Sequence, residues 1–324
     1  MRQGSNLALK GCLGCLGVLV VLGLVAAFFV VLPWIRGPES PEPVSETLAH
    51  ELPAGPAVPV TPEAPELGGV RVSSARPEPW TLVLDVGMAE LIIEPAPPGA
   101  SLTVEASYDR ANFELTEEIS HEQRVYEVSF GARGALSGLL RSQNAGANEI
   151  RLLVPRDTPL ALTGRVGVGR TRADLSGLWL TGIDVEVGVG DHHFGFEAPT
   201  REPVGRVRFE GSMGELTLQG MGFASPEELT VDQGMGELMV DLTGPWRQDA
   251  EVRVDLGMGE LLVRVPEGVA VDDRVDVGMG EVVRRLGDQE PPAGAPRLTL
   301  HVDGGMGEVV VRRVAAAPAE EPPP

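Results

Sequence analysis

A short phrase, Gly-Met-Gly-Glu, constrains this chain more than any other feature. It stands complete at Gly234–Glu237, Gly257–Glu260, Gly278–Glu281 and Gly305–Glu308. Looser copies are Gly87-Met88-Ala89-Glu90, Gly167-Val168-Gly169-Arg170, Gly188-Val189-Gly190-Asp191 and Ser212-Met213-Gly214-Glu215. With the Met or Val as marker, the copies from 168 onward are spaced by 21, 24, 22, 23, 21 and 27 residues. Self-similarity at that period marks a stacked repeat architecture.

Each copy carries the same hydrophobic pattern. Before the marker, apolar residues are two apart (Val252, Val254, Leu256); after it they are again two apart on the other parity (Leu261, Val263, Val265). Period two means a strand with one buried face. A parity flip at glycine means a corner or bulge that keeps both arms facing one interior. The rival is a two-residue hairpin with the marker in its loop. Such a turn needs positive φ at a position that here holds Met or β-branched Val, which strains them. The sequence therefore favours a corner just after the marker, with the marker itself inside the core. The implied architecture is all-β: a single-stranded, β-helix-like solenoid with about 22 residues per coil, eight to ten coils making a rod on the order of 40–50 Å long.

The same periodicity aligns carboxylates. One column lies three residues before the marker: Asp85, Glu186, Glu210, Asp232, Asp255, Asp276 and Asp303. A second lies two residues after it: Glu90, Asp191, Glu215, Glu237, Glu260, Glu281 and Glu308. Parity turns both outward. The copy at Val168 reverses the sign with Arg165 and Arg170. Stacked like charges repel unless screened or bridged by cations. The columns are thus a candidate surface for a cationic peptide or a basic protein, or else a solvated face that blocks edge-to-edge association.

Composition bounds the function classes. The formal net charge is −21. The first 36 residues hold Arg2, Lys10 and Arg36, so they carry +3 and the remainder −24. Such a surface repels nucleic acid and anionic headgroups. Gly11–Ile35 has no charged side chain and, as a helix, spans about 37 Å, enough for a bilayer. No Ala-x-Ala cleavage site follows it, and the flanking charges place residues 1–10 in the cytoplasm and the rest outside. The expected organisation is a cytoplasmic N-terminus (1–10), a single transmembrane anchor (11–35), a Pro/Glu-rich linker (36–79), an N-terminal β section that caps the stack (80–160), the repeats (161–314) and a disordered tail (315–324). Within the cap, strands read at Ser101–Ser107, Arg124–Phe130 and Glu149–Val154. Self-association of the rod is a further expectation.

Residues Asn148–Ala198 resemble the LiaF-like, toast-rack group of bacterial envelope proteins. The resemblance rests on a strand ending in Val154-Pro155, the Gly-x-Gly at 167–169, Asp174-Leu175-Ser176-Gly177-Leu178 and the second Gly-x-Gly at 188–190. It extends over about residues 80–314. It implies a surface β-solenoid tied to responses to cell-wall-active antibiotics and cationic peptides, some relatives being provisionally labelled adhesins. It brings no catalytic residues and no cofactor. The single N-terminal anchor departs from that group's multi-helix membrane domains.

Other chemistries have little to stand on. Cys12 and Cys15 form Cys-x-x-Cys at the anchor's edge, without the second ligand pair of a zinc site. Gly-x-Gly lacks the third glycine and following helix of a dinucleotide fingerprint, and no phosphate-binding Gly-Lys-Ser/Thr follows. His192 and His193 are neighbours on a strand and face opposite ways, which reads as a pair at a strand end on the surface. No nucleophile–base–orienter set can be assembled by spacing. The expectation is a non-enzymatic interaction module, with a self-associating spacer or adhesin-like rod as the alternative and a polysaccharide-cleaving β-helix behind both.

Overall fold

Alternating apolar residues make each copy a strand, and the backbone carries each strand unbroken through its glycines. The computed structural model describes residues 44–53, 78–134, 148–287 and 291–315. The segment Gly11–Ile35, most of the linker and the tail lie outside them. All described residues belong to the unit Pro43–Pro324. Among them, no helix is long and apolar enough to cross a membrane.

The strands are β1 (Val44–His50), β2 (Trp80–Pro95), β3 (Leu102–Tyr108), β4 (Phe113–Ser120), β5 (Val125–Ala132), β6 (Glu149–Val154), β7 (Leu160–Asp174), β8 (Leu180–Gly195), β9 (Arg206–Gln219), β10 (Glu228–Asp241), β11 (Ala250–Pro266), β12 (Ala270–Arg285) and β13 (Arg297–Val314). One helical turn, α1 (Met221–Ala224), joins β9 to β10. The fold is nearly all β: one mixed, 13-stranded sheet that does not close, in the order β1-β3-β6-β2-β7-β8-β9-β10-β11-β13-β12, with β4 paired to β5 and β5 to β2.

From β2 and β7 through β12 the pairing is parallel and in register at the repeat phrase. Met213, Met235, Met258, Met306 and Met279 are partners on successive strands. Parallel pairing through both arms excludes the hairpin and establishes the corner. The glycine after the marker has positive φ in every copy from β7 onward, for example +128° at Gly236 and +138° at Gly259. A Cβ on Gly236 would lie 1.9 Å from the carbonyl oxygen of Gly214, its partner on β9. The backbones therefore approach so closely at the corner that each glycine requires the next.

Met88 is half-buried against the core, but the seven later markers are not in it, which corrects the sequence expectation. Val168, Val189, Met213, Met235, Met258, Met279 and Met306 are 42–65% exposed. In β11 the inward residues are Val252, Val254 and Leu256, then Leu261, Val263 and Val265. The four between, Gly257 to Glu260, pass over the outside of the corner. The reason is space. Residues two before and three after the marker already meet inside the bend: a Cβ on Gly304 would lie 2.8 Å from Val309 Cγ2. Strict alternation would place the marker inward, and the turn at the following glycine throws it outward.

Both arms bury their inner residues in one continuous aliphatic core, from Trp80 to Val311. Each buried Leu or Val contributes about 1.5–3 kcal/mol. The N-terminal section is built differently. The first arm of β2 pairs with β5 and its second arm with β6, so the sheet splits there into two branches. Aromatic side chains fill the space between them. Phe113 stacks on Phe130 at 5.5 Å, and Tyr108 meets the same ring edge-on at 5.3 Å. β3, β5 and β6 lie where strands were read. Val44–His50, inside the stretch read as linker, is strand β1, antiparallel to β3. His50 fastens it, 2.7 Å from Glu117 on β4.

The far end departs from simple sequential stacking. β13 inserts between β11 and β12, leaving β12 on the edge. The 27-residue step between Met279 and Met306 provides the chain for that crossing.

Candidate functional site

Register turns the two carboxylate sets into columns. The first runs Asp85, Arg165, Glu186, Glu210, Asp232, Asp255, Asp303, Asp276 across adjacent strands. The second runs Glu90, Arg170, Asp191, Glu215, Glu237, Glu260, Glu308, Glu281. None of the fourteen acidic side chains is buried. The marker ridge lies between the columns.

Charge compensation divides the columns into two stretches. On β7, Arg165 pairs with Glu186 at 3.1 Å and Arg170 with Asp191 at 3.8 Å, while Arg172 bonds Glu90. From β9 on, Arg208 pairs with Glu210 and Arg274 with Asp276 in the first column. In the second column, by contrast, no described basic group lies within ion-pair distance of Glu215, Glu237, Glu260, Glu308 or Glu281. Neighbouring carboxylates also act on one another. Asp255 has its pKa raised by partial burial, then by the charges of Asp232 and Asp303 on either side.

The relief is shallow. An open groove of about 460 Å³ is lined by Glu186, Glu210, Asp232, Asp255 and the glycines beside them. Gln233 also borders it. This side chain sits at an inward position, packed over Gly211, with its amide nitrogen 3.1 Å from the Met235 carbonyl oxygen. A second groove, about 410 Å³, follows the other column over Thr217, Met239, Leu262 and Val310. Among the described residues, no three His, Cys, Asp or Glu side chains are arranged to hold a metal ion.

Sequence reasoning missed two features of this surface. The first is the ridge. Of the nine large hydrophobic side chains exposed among the described residues, seven are markers in this one column. The second is the apolar stripe beyond the glutamates: Met239, Leu262, Val310 and Val283, partners on adjacent strands. Its signal was present in the triplets Leu261-Leu262-Val263 and Val309-Val310-Val311, where alternation asks for a polar middle residue. The histidine pair also needs correction. His192 and His193 do face opposite ways, but His192 is in the core, 3% exposed, with Nδ1 2.9 Å from the Thr171 hydroxyl. Burial lowers its pKa.

Neither a protein-family model nor a curated protein matches the chain in sequence. Solved structures show distant likeness. A provisionally named cell adhesion protein from Clostridium sporogenes is 16% identical, with TM-score 0.41, over 84% of this chain and 100% of its own. A provisionally named adhesin from Bacteroides fragilis is 9% identical, with TM-score 0.39, over 84% and 98%. A provisionally named lipid-binding protein from Parabacteroides distasonis is 11% identical, with TM-score 0.33, over 83% and 97%. Likeness at this level carries no argument about what this chain does.

Proposed function

We propose that this protein is a non-catalytic interaction module, folded as a β-solenoid and anchored by Gly11–Ile35 with its repeats outside the membrane, whose outer corner docks a basic, amphipathic peptide or protein segment. The observation that carries the reading is the run of five carboxylates, Glu215, Glu237, Glu260, Glu308 and Glu281, without a basic partner among the described residues. It is flanked by an exposed apolar ridge on one side and an apolar stripe on the other. A row of exposed apolar side chains rimmed by charge is the kind of surface that marks an interaction site. Methionine suits a contact that must adapt to its partner, being unbranched and flexible. A segment carrying Lys or Arg would neutralise the glutamates while its apolar residues cover the methionines. The envelope stress response implied by the LiaF-like resemblance is one setting for such contact and rests on that resemblance alone.

A lysine/leucine amphipathic peptide titrated onto the full-length chain in zwitterionic nanodiscs tests the proposal. Binding should weaken with added salt. Replacing Glu237, Glu260 and Glu308 by Gln should weaken it roughly tenfold, since exposed ion pairs contribute about 0.2–1 kcal/mol each. Equal affinity for the triple variant would remove the docking surface. The adhesin-like alternative, in which the rod self-associates, has the polar edge of β12 against it.

A further inference from the structure

The exposed column is methionine, not merely apolar, over one particular stretch. Six of the chain's nine methionines share the marker register, and five of them, Met213, Met235, Met258, Met306 and Met279, stand on five successive strands. Valine holds the position on β7 and β8. Of the two residues Val favours strands more, and only Met brings a sulfur. Arg165 and Arg170 lie beside Val168, and no arginine stands in either column from β8 on, so the five sulfurs over β9–β13 lie between carboxylates alone.

We propose that the methionine column over β9–β13 binds a univalent soft cation, Cu(I), with thioether sulfurs from neighbouring strands as its ligands. Thioethers select Cu(I) over hard cations. Neighbouring strands lie about 4.8 Å apart, and two metal–sulfur bonds of about 2.3 Å, the zinc–thiolate value, span nearly the same distance. From β10 on each methionine is flanked by glycine on both sides. Its three side-chain torsions are therefore free to bring sulfurs of adjacent strands onto one ion. Thioethers are neutral and leave the cation's charge uncompensated. The glutamates two residues on supply that charge and, having no basic partner of their own among the described residues, remain available for it. The site shares its side chains with the proposed docking surface, and leucine in place of methionine keeps an apolar ridge while removing the sulfur ligands.

The test uses the full-length chain in nanodiscs with Cys12→Ser and Cys15→Ser, so that no thiol competes, and Ag(I) as a redox-inert probe. Calorimetric titration should show saturable binding that excess Ca²⁺ does not displace, and the methyl carbon signals of Met235, Met258 and Met306 should shift. The combined Met235→Leu, Met258→Leu and Met306→Leu variant should bind Ag(I) at least about tenfold more weakly, the lower end of what disturbed metal sites lose. It should keep the far-UV spectrum and urea midpoint of the parent chain, which separates loss of sulfur ligands from loss of the fold. Undiminished Ag(I) affinity in that variant, or methyl signals that stay in place, would overturn the proposal.

Discussion

At the scale of single residues, two side-chain positions carry the fold's main constraints. Gly236 has φ +128°, and a methyl group there would enter the Gly214 carbonyl oxygen. Gly236→Ala should therefore cost about 3 kcal/mol or more, combining backbone strain with displacement of the neighbouring strand, read as a lower urea midpoint. The glycine's role was legible, because a parity flip at a conserved spacing within one chain has few other causes. The fate of its neighbour was not. Alternation assigns Met235 inward, and only the crowding inside the bend sends it out. His192 is the second position. Its inward place among leucines is visible in the register of β8 and β9, where it faces Leu216, but histidine gives no hydrophobic signal. Burial holds its folded pKa below the ordinary 6.5. The unfolded chain then binds more protons between the two values. The associated stability is present above 6.5 and is lost as pH falls through that region. The urea midpoint should drop between pH 7 and pH 5.5 more in the wild type than in His192→Leu; equal drops would count against a buried neutral imidazole.

Elements reveal how the sheet ends. In β12 the register places Asp273 beside inward Leu300 and Arg284 beside inward Val311. The two bond each other through both guanidinium contacts at 2.5 Å, and the pairing lowers the Asp273 pKa. A charged pair at inward register positions of the edge strand covers that end of the core with polar groups where another strand would otherwise pair. Inward charges on edge strands are a known protection against edge-to-edge association. Replacing Asp273 and Arg284 together by Val should make the chain self-associate with rising concentration, detectable by sedimentation velocity. A variant that stays monomeric would remove this role from the pair. The sequence does show β12 as the least apolar copy, yet nothing in it announces that β13 would pass inside β12. Strand β1 was hidden for a similar reason: Val44, Glu46, Leu48 and His50 alternate too weakly, in a proline-rich context, to read as more than linker.

For the whole molecule, the repeat dictates an assembly in which one residue type in each copy becomes one line on the surface. The parallel stack and the two carboxylate columns follow from that repeat and were legible in it; the branching of β2 toward β5 and β6 was not, because no copy of the phrase stands between Met88 and Val168. The character of the line between the columns was not, since it depends on which way the chain faces at its corner. The proposed partner surface therefore depends on the methionines lying outside. Their methyl groups can be read directly by NMR of the full-length chain labelled at methionine methyl carbons, with a soluble paramagnetic agent added. Met213, Met235, Met258, Met279 and Met306 should relax strongly, and Met221, fully buried in α1, should be protected. Protection of those five methyls to the level of Met221 would contradict the outward corner and the partner surface built on it.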